Sequence, residues 1–482
     1  MSNQKTEKLG LKKSLSYGMG AIGEGIGYNF FYSYFIFFMI NIAGVNPAVA
    51  GTVSLIAVFW DAVTDPIIGS MSDRCRSKRG RRTPFIKYGS IFLGISLALM
   101  FINIDLPAGA KVVYYILINI AYWTFLTSAV IPHIALGSEL TDDFEERTTL
   151  RTCANFLMNI GMLIAISGSL MIVQFFAKIF GSESLGWTAT GVLFAVIIVF
   201  VYNFCCFSVR NFEPENPNLA EGYVPEKLSL SSVFSSYLQA LKVKPFNKLL
   251  IITFCVNFAV GVGSSLMIFL YTYVFRYSEN KTSFMLLITT LFLLLTTVLA
   301  GVFANKFGKK QMMIGGMICY TACYLIMAVL PAGDSTAYLY ILFYGIGNAT
   351  YWTLIYSMSY DTALIEKFKS GNSPDGLYTS MIGFFMKAGS AIGMWITGIV
   401  LSAIGFNAEA AEQAADTIAN LKLAFGIIPA VILAVAVIAA IAYSLTKEKY
   451  ALLLTAAEAK ENGAEYRVEG LEKVLYGGHW KY

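Results

Sequence analysis

Residues 25–60 contain no charged side chain, and comparable apolar blocks recur almost to the end of the chain. About 20 consecutive apolar residues suffice for a helix to cross the ~30 Å hydrocarbon core of a bilayer. The chain is 56% apolar and only 13% charged, against about 25% charged in soluble domains. That balance excludes a soluble enzyme, a disordered scaffold and a nucleic-acid-binding module. Membrane lipid is therefore an expected partner, and nucleic acid is not. The blocks are continuously apolar rather than alternating, which selects helices over barrel strands.

Twelve such segments are expected, at residues 15–43, 48–71, 84–101, 112–136, 150–177, 187–209, 249–275, 283–303, 312–330, 337–364, 377–404 and 423–445. Basic residues set their orientation. With the N-terminus in the cytoplasm, 29 of the 35 Lys and Arg lie in cytoplasmic pieces and 5 in outer loops. The remaining one, Lys387, is inside a span. Both termini are thus expected in the cytoplasm, with the protein in the cell (inner) membrane. The lysine-bearing residues 1–13 precede a block too long for a signal-peptide core, so the first span is expected to persist in the mature protein.

The domain plan that follows has a cytoplasmic N-tail at 1–14 and a six-helix bundle at 15–209. A cytoplasmic linker at 210–246 carries a short amphipathic helix near 228–241. A second six-helix bundle occupies 247–445, and a cytoplasmic C-tail, 446–482, begins as a surface helix. A weak repeat supports the division. The basic turn at 73–82 joins spans two and three, and the shorter basic turn at 305–310 joins spans eight and nine. Parallel halves related by an axis along the membrane normal are a transporter architecture.

Charges inside spans cost roughly 2.5–3.5 kcal/mol each on insertion scales, so each needs a reason. The sharpest are Asp61 and Asp65 in Trp60-Asp-Ala-Val-Thr-Asp-Pro66. Their i, i+4 spacing places both carboxylates on one helical face, and Thr64 adds a hydroxyl. Clustered oxygens of this kind suit a monovalent cation. The alternative is a helix-end salt bridge to Arg74 or Arg76. Lys387 is a lone ammonium that should pair with a carboxylate or lose its proton. Together with the two aspartates it leaves one net negative charge, which one bound cation would neutralise.

Glu24 in the first span is either a cavity residue or the partner of a neighbouring helix. The glycines at 18, 20 and 23 spell GxGxxG, but no strand precedes them, so they read as helix packing rather than a nucleotide loop. Asp361 reads as an end charge at the rim of span ten. His133 could line a cavity, although a lone histidine more often serves packing. Among the span aromatics, Tyr28, Tyr32, Trp123, Tyr351, Trp352 and Tyr356, a few could be platforms for a sugar ring. The seven cysteines contain no CxxC and read as small buried hydrophobes rather than disulfides or zinc ligands.

The motifs Tyr17-Gly-x-Gly-Ala-x-Gly23, Trp60-Asp-Ala-x-Thr-Asp-Pro66, the 73–82 turn, Glu146-Arg-Thr-x-Leu150 and Lys387-x-Gly-Ser-Ala391 occur in this order. Together they resemble the glycoside–pentoside–hexuronide:cation symporters of the major facilitator superfamily, over residues 15–449. The resemblance implies that fold: all-α, twelve transmembrane helices in two six-helix bundles. It also implies uptake of a sugar coupled to Na⁺, Li⁺ or H⁺ by alternating access. The family's cation site falls on Asp61, Asp65 and Thr127, its site-proximal lysine on Lys387 and its sugar-side tryptophan on Trp352. The chain departs from the melibiose-carrying members at several positions. They have an asparagine at Thr64, carboxylates at Gly25 and Val130, a lysine at Glu24 and an arginine at Ala154. The cation machinery is retained while the sugar contacts have changed.

The expected function is therefore cation-coupled symport, by Na⁺ or H⁺, of a small sugar, glycoside, pentose or hexuronide. The candidate solute contacts are Glu24, Tyr28, His133, Trp352 and Tyr356. One alternative is a facilitator-fold carrier of a lipid-like or organic solute; another is a non-transporting membrane sensor or scaffold. No HExxH, paired catalytic acids or Ser/His dyad points to an enzyme, and no cofactor is expected beyond the coupling ion.

Overall fold

The computed structural model describes residues 10–141, 144–213, 216–219, 240–370, 375–408, 410, 412–461 and 471–475. Among these residues there is no strand. Helix α1 (Gly10–Phe37) continues through a π-helical turn, Phe38–Ile42; α2 (Pro47–Asp73), α3 (Thr83–Met100) and α4 (Ala108–Glu139) follow. Helix α5 (Phe144–Leu163) runs through a second π turn, Ile164–Gly168, into its outer segment Ser169–Phe180. Next come α6 (Glu183–Val209) and α7 (Lys244–Phe269), the latter ending in the π turn Leu270–Val274. The rest are α8 (Glu279–Phe307), α9 (Lys309–Val329), α10 (Asp334–Ser370), α11 (Asp375–Ala403) and α12 (Ala415–Ala442). A tail helix, α13 (Lys447–Glu461), and the short α14 (Glu472–Leu475) complete the chain.

Ten of the twelve long helices are apolar enough to cross a membrane by length and composition. The two that fall short are α1 and α10. Both are rich in Gly, Tyr, Ser and Asn and carry an acidic residue, Glu24 or Asp361. Large apolar side chains such as Phe156, Phe175, Val196, Phe200, Val298, Val329 and Ile438 are exposed. A surface that apolar suits lipid tails rather than water. The all-helical membrane architecture expected from the sequence is thus borne out.

The chain forms two compact units. One contains Met1–Leu228 with Tyr277–Leu287 and Leu401–Glu412; the other contains Ser229–Arg276, Ile288–Val400 and Gln413–Tyr482. The amphipathic helix expected near 228–241 falls almost wholly outside the described residues. In the first unit, Phe30 stacks on Phe101 at 4.3 Å and meets Phe194 edge-on at 4.9 Å, with Trp187 close by.

The first-span glycines act as packing residues. A Cβ at Gly25 would stand 2.2 Å from the Met158 carbonyl, and one at Gly161 would stand 2.4 Å from the Ile22 carbonyl. Helices α1 and α5 can therefore cross backbone to backbone only because both positions lack a side chain. In the second unit Gly389 and Gly393 of α11 approach the Phe254 and Phe258 carbonyls of α7 in the same way.

The helix ends are tied by polar contacts. Arg82 donates to Glu139 at 2.9 Å and to Ser72 at 2.6 Å, and pairs with Asp73; Arg81 also pairs with Glu139 at 2.9 Å. Beyond α6 the chain returns beneath the α2–α3 turn. Asn216 donates to the Cys75 and Ser77 carbonyls at 2.8 and 3.0 Å, and Asn218 donates to those of Asp73 and Cys75. In the second unit Lys309 pairs with Asp361 at 2.7 Å, and Lys460 of α13 donates to the Phe368 carbonyl near the end of α10. Asp361 is thus an ion-paired end charge. The seven cysteines are free thiols, five buried and Cys75 and Cys319 half-buried.

Candidate functional site

Asp61 and Asp65 stand one turn apart on α2, so a single neighbour can reach both. That neighbour is Thr127 on α4. Its hydroxyl oxygen lies 2.7 Å from Asp61 Oδ1 and 3.2 Å from Asp65 Oδ1. Asp61 is completely buried and Asp65 half-buried. Thr64 is also buried, and its hydroxyl donates to the Asp61 backbone carbonyl at 3.0 Å, three residues back. Its contribution is to the helix backbone, while its oxygen lone pairs remain available on the same turn. The two helices are pinned beside the site by Trp60, whose indole N–H donates to Thr124 at 2.8 Å.

Two prolines enrich this spot in oxygen. Pro66 interrupts α2 and Pro132 interrupts α4. A proline lacks the amide that would bond the carbonyl four residues earlier. The carbonyls of Ala62 and Ser128 therefore lose their helical donor, next to Asp61 and Thr127 respectively. Two carboxylates, a bridging hydroxyl and two carbonyls without helical partners make an oxygen-rich cluster within the membrane-spanning helices. Hard cations are held by such oxygen sets. Among the described residues no group of three or more His, Cys, Asp or Glu could hold a metal ion, so any cation seated here relies on the threonine and the backbone.

The solute candidates fall into separate groups. Tyr28 and Tyr32 of α1 flank Trp123 of α4 at ring distances of 5.7 and 5.9 Å, within electrostatic reach of both aspartates. Glu24, one turn earlier than Tyr28, is within electrostatic reach of Arg151 on α5. Arg151 also hydrogen-bonds Tyr17. The sequence reading passed over Arg151; its signal was a basic residue one turn before Ala154 on the same helix.

His133 is placed differently from its candidate role. Its ring stacks on Tyr17 at 4.5 Å, its Nε2 lies 3.1 Å from the Tyr17 carbonyl, and the Tyr17 hydroxyl donates back to the His133 carbonyl at 2.9 Å. A Cβ at Gly20 would meet the imidazole at 2.6 Å. The histidine is a buried joint between α1 and α4 and is removed from the set of solute contacts.

In the second unit Trp352 and Tyr356 share a face of α10 at i, i+4 spacing. Trp352 is 44% exposed, and the Tyr356 hydroxyl contacts the Met386 sulfur at 3.7 Å. Met386 precedes Lys387, which is half-buried on α11. These three residues thus gather on neighbouring helices, apart from the aspartate cluster of the first unit.

Residues 16–447 match the MFS/sugar transport protein family. The chain belongs to that family. It is 27% identical to the putative glycoside/cation symporter YagG of Escherichia coli, over 91% of this chain and 93% of that one. It is 26% identical to the isoprimeverose transporter of Lactiplantibacillus pentosus, over 93% and 92%. The crystal structure of a bacterial homologue of the human lysosomal transporter Spinster superposes with a TM-score of 0.64 at 15% identity, covering 92% of this chain and 98% of that chain. That likeness speaks for the fold alone. The motif resemblance is therefore borne out: this MFS/sugar transport protein is a membrane transporter of the sugar–cation symporter type.

Proposed function

We propose that this MFS/sugar transport protein takes up a small sugar, glycoside, pentose or hexuronide in symport with Na⁺ or H⁺, by alternating access, in the cell membrane with both termini cytoplasmic. The observation that carries the coupling is the Thr127 hydroxyl bridging Asp61 and Asp65 inside the spans. A cation seated there raises affinity for the solute, and linkage requires the solute to do the same for the cation. Glycoside and isoprimeverose in the relatives' names support the solute class. The lost carboxylates at Gly25 and Val130, with Glu24 and Arg151 nearby, support a sugar grip of its own design rather than melibiose.

The test is uptake into vesicles reconstituted with the full chain, under imposed Na⁺, Li⁺ or H⁺ gradients, across a panel of pentoses, glycosides and uronides. Accumulation of one of these driven by one of the gradients is expected. Gradient-independent equilibration of every solute that moves would defeat the coupling. Lys387→Ala is expected to weaken transport and alter the cation dependence. An unchanged cation response in that variant would remove Lys387 from the mechanism.

A further inference from the structure

Between Asn119 and Thr127, helix α4 carries a run of buried polar groups that the protein does not satisfy. Asn119 is fully buried, and among the described residues neither its amide nitrogen nor its amide oxygen has a hydrogen-bond partner. The same holds for the Tyr122 hydroxyl and the Trp123 indole N–H, both on fully buried side chains. These residues lie three and four positions after Asn119, and Thr127 lies four beyond Trp123. They therefore share one face of the helix, spanning about 12 Å of its length at 1.5 Å per residue.

Polar groups at either end and on the other faces are satisfied. The Tyr114 and Tyr115 hydroxyls donate to the Leu99 and Ile102 carbonyls, both at 2.8 Å. Thr124 donates to the Ile120 carbonyl at 2.7 Å. The unsatisfied atoms are thus confined to the face that ends on the aspartates, where Tyr122 is itself within electrostatic reach of Asp61.

Buried polar groups are hydrogen-bonded to protein or to ordered water in nearly all native structures, and a buried water needs two to four polar partners. Asn119 supplies donors and an acceptor, Tyr122 either, and Trp123 a donor only. A donor-only indole cannot ligate a cation, so a bare ion does not fit this set. The complete burial of all three side chains leaves no approach for a sugar ring. Water fits both the chemistry and the enclosure.

We propose that Asn119, Tyr122 and Trp123 form a water-binding site on α4 that continues into the Asp61–Asp65–Thr127 cluster and supplies water to the ion seated there. The link to the ion rests on the function proposed above; the water site does not. An ion entering the cluster must exchange hydration water for protein oxygens, and a chain of ordered water along α4 gives that exchange a route.

Radiolytic hydroxyl-radical labelling of the full chain in vesicles tests this, because radicals formed from ordered water modify side chains beside it even when they are buried. Trp123 is expected to be modified at least fivefold faster than the buried Phe30 and Phe194. Asn119→Leu should reduce that rate at least threefold, while Trp60, whose indole is held by Thr124, keeps its wild-type rate and reports an intact α2–α4 pair. Trp123 labelling no faster than Phe30 would overturn the water site. The same would follow if Asn119→Leu left Trp123 labelling unchanged. Titration with NaCl, LiCl or pH should change Trp123 labelling in the wild type and not in Asp61→Asn. Labelling indifferent to all three would cut the site's link to the aspartates. Failure of the symport reading itself would show instead as solute uptake independent of every gradient.

Discussion

In the first unit α3 packs on α4 and α6, and α6 packs on α1; in the second, α9 packs on α10 and α12, and α12 packs on α7. The scheme is the same, displaced by six helices. It extends to detail. The first helix of each half ends in a π turn, Phe38–Ile42 and Leu270–Val274. Gly69 of α2 has Ile131 of α4 as its nearest neighbour, and Gly301 of α8 has Thr353 of α10. An ion pair ties the third helix to the fourth in both, Arg82 with Glu139 and Lys309 with Asp361. Each unit also uses the chain beyond its sixth helix as a strap, Asn216 and Asn218 in one and Lys460 in the other.

Against that shared frame the contents differ. The glycines and the ion pairs set the register between halves. In that register Asp61 and Asp65 correspond to Leu293 and Thr297, and Thr127 corresponds to Ala349. The second unit retains the helices of the site without its carboxylates. Packing is therefore the property common to both halves, and the acidic cluster belongs to one. Such a division predicts a single cation seat in the chain.

The largest effect should separate these matched positions. Asp61→Asn and Asp65→Asn are each expected to lower gradient-driven accumulation roughly 100-fold, equivalent to about 2.7 kcal/mol. Leu293→Asn and Thr297→Ala should change it less than about twofold, under ~0.4 kcal/mol on the same scale. The measurement is initial uptake rate in vesicles, normalised to inserted protein. Equal losses at α2 and α8 would mean that the halves share the coupling ion and that the comparison is wrong.

Next come the ion pairs. Glu139 serves two arginines, one of them Arg82 with a side chain only 8% exposed, whereas Lys309 is 38% exposed. Removing one member of a buried pair strands the other charge and costs roughly 3–5 kcal/mol. An exposed pair contributes about 0–1 kcal/mol. Glu139→Gln should therefore lower the thermal midpoint of the purified protein clearly more than Asp361→Asn. The reverse order would assign the structural burden to the second unit.

A smaller and more even effect is expected at the helix crossings. Gly25→Ala in the first unit and Gly389→Ala in the second each force a methyl onto a carbonyl, at 2.2 and 2.6 Å. Strain of this kind costs about 1–3 kcal/mol. Gly315→Ala, with open space around it, should be neutral or slightly stabilising, since alanine is the better helix former. Differential scanning in detergent would read all three, and a neutral Gly25→Ala would show that α1 and α5 can separate without loss.

Much of this organisation was readable before the fold. Continuous apolar runs located all twelve long helices, because a bilayer demands length and hydropathy of every span. The ends were less legible. Helix α4 extends to Glu139 and α10 to Ser370, past the apolar limits, since charged last turns leave the membrane without breaking the helix. The i, i+4 aspartates were visible as a pair, and Thr127 came only through the family resemblance, because no local pattern distinguishes one span threonine from another. The reciprocal Tyr17–His133 joint and the Glu24–Arg151 association pair residues more than a hundred positions apart, and sequence spacing holds no information on such contacts. The carbonyls released by Pro66 and Pro132 were inferable from the sequence, since proline chemistry alone frees them.

The straps offer the finest test of the comparison. Glu213, beside the Asn216 strap, accepts a hydrogen bond from Thr83 at 2.5 Å. Burial pushes its carboxyl above the ordinary glutamate value; the Thr83 bond opposes that rise, and the nearby Glu139 charge adds to it. With the folded pKa above the unfolded one, the folded protein holds more protons between the two values. Stability therefore falls as pH rises through that interval. The stabilising state is the protonated one, complete below the unfolded pKa and lost above the folded pKa. Glu213→Gln should flatten this part of the pH profile of the thermal midpoint by mimicking the protonated form. The second unit's strap is fastened by Lys460 on a carbonyl, a contact without an acid to titrate. Lys460→Met should lower the midpoint uniformly across the same interval. A slope that survives Glu213→Gln would place the acid-sensitive contact elsewhere in the first unit.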